Sequence, residues 1–549
     1  MFEKSPDRIE VSSLFEETFL DKFKLISFDI FDTLLIRDTV THFRLWRTRG
    51  NLFALERALG EIASRLQARA QGRYEVKSTE IYRWMRTKWR FEDEIDLEDS
   101  HLLINSEIEN LIIRLLRSGK QVVLISDTHF SSQLLDRWLS SRGLPKLQIF
   151  TSQEFLKPKS RGLFDQVKSQ LSVDSDAWLH IGDNSVSDVI APQRLGITAV
   201  HYPKLRDQLV ASGLLSERAL TEFLKAGADG ETAITKLGLG FVRQTDPLNR
   251  VLQSLPANIG SVIAMPISHS IAQQVAMHGK FSSLSEYWFV SRDGWLPYLS
   301  FQSQFPNLPS RYFKTSRQML TNPRYEGYVA EFLANTKQVF IYDLGWRGTT
   351  LQKLTKLFPT TKFTGVFVGL LNSVTSESIQ LFKGSRFDFL DIWRARDLLE
   401  VIFSDPTNGY SSLDENNMPL EAKSKSSLGD VLRVDIAIAA QSSIDNFTPI
   451  LTPEETSIVL RIFSAFPSDE FKQLFSEVTH DIDGNGHGYL IHSNWQILFS
   501  TQPVMWPQAA GLLNPKYGKI ENSLFRFACL LKELLQRIRS LIGRKIQKP

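Results

Sequence analysis

Cysteine is almost missing from this chain: Cys529 is the one example in 549 residues. A disulfide framework is therefore excluded, and such sparing use fits a reducing cytoplasm. Long apolar runs are missing too; none reaches the roughly 18 residues that a membrane-spanning helix needs. Neither sign of charge dominates, because 64 Lys and Arg against 61 Asp and Glu leave a net charge of +3. No basic face for nucleic acid follows from that balance, and no basic–aromatic cluster, zinc finger or helix-turn-helix signature is present. The ten histidines show no metal-ligand spacing. Asp481, Asp483, Asn485 and Gly486 imitate the first half of a calcium loop. The twelfth position is His492 rather than the bidentate Glu that Ca²⁺ requires, so a plain Asx/Gly turn is expected. The opening MFEKSPDRIE lacks the basic-then-apolar pattern of a secretion signal, and a cytoplasmic chain is expected. Internal repeats and low-complexity tracts are absent.

The residues that are present describe a globular α/β protein. Hydrophobic residues at 42% and charged residues at 23% are ordinary for that class, and the length calls for two to four domains. KLISFD (24–29), KQVVLIS (120–126), WLHIGD (178–183) and TAVHY (198–202) read as short buried strands separated by amphipathic segments. Strands alternating with helices predict a parallel, doubly wound sheet. Residues 40–118 carry helical spacing and no convincing strand, so they read as a helical cap inserted after the first strand. A mostly helical linker is expected over 206–255. A second α/β domain follows over 256–395, with strands at EYWFVS, RYFKTS, QVFIYD and TGVFVGL. Residues 396–549 read as mostly helical, with a polar stretch at 411–428.

Ligands of an open parallel sheet gather at the carboxyl ends of its strands. Asp29 ends the first strand, Ser126 the second and Asp183 the third, with Asp188 five residues later; Lys157 and Lys159 lie in EFLKPKSRG. A carboxylate can attack phosphorus and form an aspartyl-phosphate. Further carboxylates can hold a Mg²⁺ that offsets the repulsion between two negative reactants. A lysine and a hydroxyl can hold the remaining phosphate oxygens. Taken singly, an acid after a buried strand is more often a helix cap.

These segments resemble the four motifs of the haloacid-dehalogenase-like (HAD) superfamily. FDIFDTLL resembles the first, making Asp29 the nucleophile and Thr33 the motif threonine. The resemblance implies the phosphate-binding hydroxyl at Ser126 in LISD and the motif lysine at Lys157 or Lys159. It implies Mg²⁺ bound by Asp29, the Phe31 backbone carbonyl, Asp183 and Asp188. It covers residues 24–203. One departure stands out: phosphatases of the family usually place a second Asp two residues after the nucleophile, as acid/base, and here Phe31 occupies that position. Asp32, one residue on, is the candidate substitute through an altered turn. Alternatively, the leaving group needs little acid help, or the site binds phosphate and turns over slowly. The implied activity is a phosphohydrolase or phosphotransferase acting on a phosphorylated small molecule; the alternative is a phosphate-ligand binding or regulatory protein with a weakly active site.

The later domain offers a second set: Arg292 and Asp293 in FVSRDGW, Arg317 in FKTSRQ, and Asp343, Gly345, Arg347, Gly348, Thr349 and Thr350 in VFIYDLGWRGTT. Small residues between a strand and a helix let backbone N–H groups approach a phosphate, and the arginines can grip its oxygens. The bland reading is turn glycines plus surface arginines. The loop resembles the phosphoribosyltransferase signature, with one acid where that signature has two. The motif order also resembles large bacterial HAD proteins associated with surface-polysaccharide biosynthesis, which implies sugar-phosphate or nucleotide-sugar chemistry. In the last 28 residues, Phe527, Leu531, Leu534, Ile538 and Leu541 form one helical stripe among Arg537, Arg539, Arg544, Lys545 and Lys548. That stretch, 522–549, reads as a terminal helix packed on the body, or as a peripheral contact with an anionic membrane.

Overall fold

The computed structural model describes residues 11–475 except 40, 86–88, 245–253, 334–335, 371–376, 383–397, 408, 423–427 and 446–449, together with 479–481 and 487–489. The calcium-loop imitation beyond Asp481 and the basic stretch 522–549 lie outside these residues. Two compact units are formed, Met1–Gln208 with Thr245–Leu252, and Leu209–Gln244 with Gln253–Pro549. Among the described residues no helix is long and apolar enough to cross a membrane.

The first unit is built on a five-stranded parallel sheet. Its strands are β1 (Leu25–Phe28), β4 (Gln121–Ser126), β5 (Gln148–Thr151), β6 (Trp178–Gly182) and β7 (Thr198–His201); β2 (Leu35–Arg37) and β3 (Leu102–Ile104) lie apart. The spatial order is β5-β4-β1-β6-β7. Every residue of β1 and β6 is buried, as expected where helices cover both faces of a parallel sheet. One face packs Leu25, Val123, Ile125, Phe150, Phe164 and Trp178 into a common core. From β1 the chain moves outward through β4 to β5, then returns to the other side of β1 for β6 and β7, so the crevice at the carboxyl end of β1 is the topological switch point.

The helical block after β1 differs from the sequence expectation in two ways. It does contain a strand: β3 pairs antiparallel with β2, Leu35 opposite Ile104 and Arg37 opposite Leu102. Three-residue strands are too short to leave a periodic signal. The cap proper is thus the set of helices at 42–49, 51–70, 78–82 and 91–100, fenced by this ribbon. The remaining helix, Ser106–Arg117, is capped by the Asn105 side chain and buries Ile108, Leu111, Ile112 and Leu115. Glu107 at its start accepts a hydrogen bond from Tyr202 after β7, which ties this helix to the sheet rather than to the cap.

The second unit carries another parallel sheet, of β8 (Glu286–Val290), β9 (Ser310–Phe313), β10 (Gln338–Trp346), β11 (Lys362–Leu370) and β12 (Ser378–Gln380), in the order β12-β11-β10-β8-β9. Its switch point lies between β8 and β10. The segments read as a linker and a tail join in one helical layer here. Lys236 of helix Ala228–Gln244 reaches Glu455 at 2.8 Å, and Thr456 donates to Ser270 at 2.7 Å. Helix Leu428–Ser442 passes so near Gly260 that an added Cβ would stand 2.1 Å from the Ile436 carbonyl oxygen. The polar stretch after 411 is partly a hairpin, β13 (Tyr410–Leu413) with β14 (Pro419–Glu421), rather than helix and loop. Asp414 closes it by accepting from Asn416 and Met418 N–H groups.

Candidate active site

Three strand ends converge at the first switch point. Register sets Phe28 of β1 beside Leu124 of β4 and Ile181 of β6, and the Asp29 N–H donates to the Ile181 carbonyl at 2.8 Å. One residue on, Asp29 comes level with Ile125 and Gly182, and Ser126 and Asp183 stand one step further along their strands. Asp188 is brought back over the strand end by a wide helical turn at 185–190, whose start is capped by Asn184 accepting from Val186 and Ser187 N–H. Only glycine fits at 182, because an added Cβ would stand 2.5 Å from the Asp188 Cγ.

Lys159 fills the centre. Its Nζ lies 2.5 Å from Asp29 Oδ1 and 2.5 Å from Asp188 Oδ1, and its own N–H donates to Asp127 Oδ1 at 2.7 Å. Lys157 is exposed. The difference comes from the backbone: left-handed Leu156 (φ 53) and Gly162 (φ 101) bracket a tight turn that carries residue 159 inward. Burial opposes the charge on Lys159, yet Asp188, Asp29 and Asp127 outweigh it and hold the amine protonated well above the usual lysine range. Burial also raises Asp29 well above an ordinary carboxyl, with Asp188 and Asp183 adding to the rise and Lys159 opposing it. Asp188 goes the other way; burial disfavours its charge, but Lys159 and His180 hold it ionised.

Beneath these groups runs a buried chain that sequence reasoning missed. Trp178 Nε1 donates to Ser27 Oγ at 2.8 Å, Ser27 Oγ meets His180 Nδ1 at 2.8 Å, and His180 Nε2 meets Asp188 Oδ1 at 3.2 Å. Burial keeps His180 neutral, so a proton on Nε2, donated to Asp188, completes the chain. The signal that could have found it is the alternation of Trp178 and His180 on one face of β6.

Asp29, Asp183 and Asp188 each present an oxygen within 4.8 Å of the other two. Three hard oxygen donors that close suit Mg²⁺, with waters and substrate oxygens completing an octahedron. Thr33 Oγ1 is buried beside them in sequence and has no hydrogen-bond partner among the described residues.

Phe31 and Asp32 take different directions. The Phe31 ring lies under the Arg37 guanidinium at 4.1 Å and 6.2 Å from the Phe130 ring. Asp32 is left-handed (φ 60), and its Oδ2 is 2.5 Å from Lys204 Nζ, which also reaches Asp183 at 3.3 Å. Burial works against its charge, but Lys204 and Arg37 hold Asp32 below the usual carboxyl range. Lys204 follows β7 in HYPK and was readable as another strand-end residue.

A cavity of about 350 Å³ opens above these groups. Its floor includes Asp29, Ser126, Lys159 and Asp183, and its roof His42, Trp46, Glu61 and Arg65 of the cap. Buried charges tie the cap helices to one another and, through His129, to the floor. Arg57 Nε donates to Glu94 Oε2 at 2.8 Å, its Nη1 reaches Glu61 at 3.0 Å, and its Nη2 lies 3.1 Å from His129 Nε2. His129, three residues after Ser126, also stands 3.2 Å from Glu94 Oε1. The neighbouring Arg37, followed by burial, pushes His42 down to about 3, so it is neutral at physiological pH.

A HAD family enzyme is similar to part of this chain. No family model matches it, and no curated protein does. Among solved structures, an enzyme of that family from Bacteroides thetaiotaomicron aligns at 17% identity and a TM-score of 0.27, covering 33% of this chain and 94% of the enzyme. An aspartate-to-alanine variant and the wild type, each in complex with magnesium and inorganic phosphate, align at 16% with TM-scores of 0.26 and 0.24, covering 33% of this chain and 95% of theirs.

The second set of residues is assembled differently from expectation. β10 continues through Trp346, so Asp343 and Gly345 lie in the strand and pair with Phe367 and Gly369 of β11. Gly345 (φ 113) is needed there because a Cβ would stand 2.2 Å from the Gly369 carbonyl oxygen. What was read as a Gly/Thr loop shrinks to Arg347 and Gly348 before helix Thr349–Leu357, with Thr349 exposed and Thr350 turned into the core. The Gly345 N–H donates to Asp343 Oδ1 at 3.1 Å. At the switch point the groups that gather are mostly acidic. Burial, then Glu400, Asp343 and Asp405 raise the Asp293 carboxyl well above its usual value, against Arg292. Burial lifts Asp343 to about 6, with Glu400 adding and Arg317 opposing. Asp405, bonded to the Tyr312 hydroxyl, and Glu400 were not found from sequence, since both come from a segment without strand pattern.

Proposed function

We propose that the first unit is a Mg²⁺-dependent phosphohydrolase or phosphotransferase of the HAD type, acting through an aspartyl-phosphate on Asp29. The reading is carried by Lys159 bridging Asp29 and Asp188 at a sheet switch point, 2.5 Å from each. One strand end supplies a nucleophile, another a hydroxyl, a loop the cation and a third strand end two more acids, as phosphoryl transfer requires. Asp29, Asp183 and Asp188 would hold Mg²⁺, with the Phe31 carbonyl as a further oxygen; the ion supplies charge neutralisation when bound. Asp29 attacks phosphorus while Lys159 and Ser126 hold non-bridging oxygens. The bond to the leaving oxygen breaks, and that oxygen departs with the electron pair. Water then attacks phosphorus, restores the Asp29 carboxylate and gives its proton to solvent.

Among the described residues, the three that sequence position or the cavity offers first as general acid are not suited to it. Phe31 stands in the usual position, Asp32 is paired with Lys204, and His42 is neutral. The cation Arg37, stacked on Phe31, can instead balance negative charge as it develops. The favoured substrates are therefore phosphoanhydrides, nucleotide-sugar diphosphates among them, and acyl phosphates, whose leaving groups are stable as anions. A role in surface-polysaccharide biosynthesis is supported by the motif order alone. With Mg²⁺ present, phosphate release from acetyl phosphate and pyrophosphate is expected to exceed that from an alkyl phosphate by roughly 10²-fold or more, the contribution of a general acid. Calorimetry of Mg²⁺ binding checks the metal set separately, with Asp183→Asn weakening it by more than the roughly 10–100-fold that loss of an outer-shell partner costs. Binding of phosphate with no turnover of any substrate would favour a regulatory protein instead.

For the second unit, we propose a binding module for a phosphorylated sugar or nucleotide, on a Rossmann- or phosphoribosyltransferase-like sheet. Arg292 and Arg317 suit phosphate; Asp293, Asp343, Glu400 and Asp405 suit hydroxyls of a sugar better than a second anion. Calorimetry on the full chain with a nucleotide-sugar is expected to give binding that Asp343→Asn weakens about tenfold, one lost hydrogen bond to a charged group. Unchanged affinity would remove Asp343 from the site.

A further inference from the structure

The cap helix Asn51–Ala70 has two apolar faces, and the described residues cover only one of them. Inward, it buries Phe53, Ala54, Arg57, Gly60, Ser64 and Ala68. Outward, Leu52, Leu55, Leu59, Ile62 and Leu66 are each between 51% and 61% exposed. Such a row is unusual: single exposed leucines are normal, but a contiguous apolar patch on the order of 500 Å² marks an interaction surface.

The spacing says what kind of surface. Residues 52, 55, 59, 62 and 66 step by three, four, three and four, which is the a/d seam of a heptad. A 3.5-residue repeat is the signature of one helix packing along another. A helix lying on a membrane would instead show a wider apolar face and a cationic flank. Here the helix carries Glu56 and Glu61 as well as Arg57, Arg65 and Arg69, so no cationic flank exists.

We infer that the cap helix is the contact between two copies of this chain, paired antiparallel about a two-fold axis between Leu59 and Ile62. In that register Leu59 meets the partner's Ile62, Leu55 meets the partner's Leu66, and Leu52 meets the partner's Arg69. The partner's Arg69 comes within one turn of Glu56, and the same pair repeats at the other end, so charge favours antiparallel over parallel pairing. Parallel pairing would set Glu56 beside Glu56 and Arg69 beside Arg69. The surface is self-complementary, as an isologous interface must be. A patch on the order of 500 Å² from each copy, widened by the flanking polar residues, approaches the roughly 800 Å² per partner of a standard interface. The consequence reaches the cavity, because Glu61 and Arg65 of this same helix line it. Pairing would clamp the cap of each copy from outside while Arg57 holds it from within.

Sedimentation or light scattering of the full chain at tens of micromolar tests the idea. A mass of twice 62.7 kDa is expected. Leu59→Glu and Ile62→Glu should each return it to 62.7 kDa with unchanged circular dichroism, since both side chains point to solvent in one copy. In a Cys529→Ser background, Leu59→Cys with Ile62→Cys should give a covalent dimer through unlike positions. Wild type that stays a monomer, including one that pellets with anionic vesicles, would overturn the proposal. So would a dimer that survives both glutamates.

Discussion

Asp29→Asn is expected to cut phosphate release by at least about 10⁴-fold while leaving the protein as stable as wild type or more so. The two halves have one cause. Burial, with Asp188 and Asp183 adding, raises the Asp29 carboxyl in the folded chain, so folding at neutral pH must pay for an ionised acid that the pocket disfavours. For an acid whose folded value lies above its unfolded value, the folded state binds the extra proton, and stability falls as pH rises above the unfolded value near 3.8. The amide removes that cost and keeps the shape. Lys159 then retains Asp188 as its ion-pair partner, at 2.5 Å. Activity vanishes because an amide does not attack phosphorus. Two measurements check this: steady-state phosphate release, and thermal unfolding in chelator at pH 7. Wild-type activity in the variant would remove Asp29 as nucleophile. Lost activity with a collapsed melting temperature would make Asp29 a structural residue instead.

The parts of this site that were legible in the sequence are those made by continuous local signals. LISF, VVLIS and WLHIG are unbroken apolar runs because both faces of a parallel strand are buried, and each run ends at a candidate site position: Asp29, Ser126 and Asp183. Register then does the rest without further information. The choice between Lys157 and Lys159 was not legible. It depends on a left-handed Leu156 and on a hydrogen bond from Lys159 to Asp127, 32 residues away in sequence. The misreading at Gly345 has a similar origin. A glycine after an acid looks like a loop, yet here it lets β10 run tight against Gly369 of β11. The exposed stripe on the cap helix was visible as periodicity, but sequence alone cannot tell a face that meets the core from one that meets solvent, because both carry leucine at helical spacing.

Least legible was the buried ion pair that ties the cap helices together, and its loss is the largest expected effect on stability. Arg57→Met is expected to destabilise the first unit by about 3–5 kcal/mol, the cost of leaving one half of a buried ion pair alone. Arg57 and Glu94 are both completely buried, 37 residues apart on separate helices, so no motif joins them. In wild type, burial opposes the Glu94 charge, but His129 and Arg57 hold the carboxyl well below its ordinary value. That depressed value stabilises the fold above the unfolded value near 4.5, and the contribution is lost only as pH falls through the lower folded value. Without Arg57 part of that support is lost. Glu94 keeps Tyr82 as a donor at 2.7 Å and His129 at 3.2 Å, but its carboxyl rises from the wild-type value, so the folded variant takes up a proton at higher pH than wild type does. The gap in melting temperature, roughly 10 °C at pH 7 for a unit of this size, should therefore narrow as pH falls into the range where the variant is protonated and wild type is not. Adding Glu94→Gln to Arg57→Met should restore at least half of the loss at pH 7, since the uncompensated charge is gone and the hydrogen bond to Tyr82 remains. A gap that is independent of pH, or that the second substitution leaves untouched, would mean that Arg57 supports the cap by packing against Trp46, over whose ring its guanidinium lies at 4.5 Å, rather than by charge.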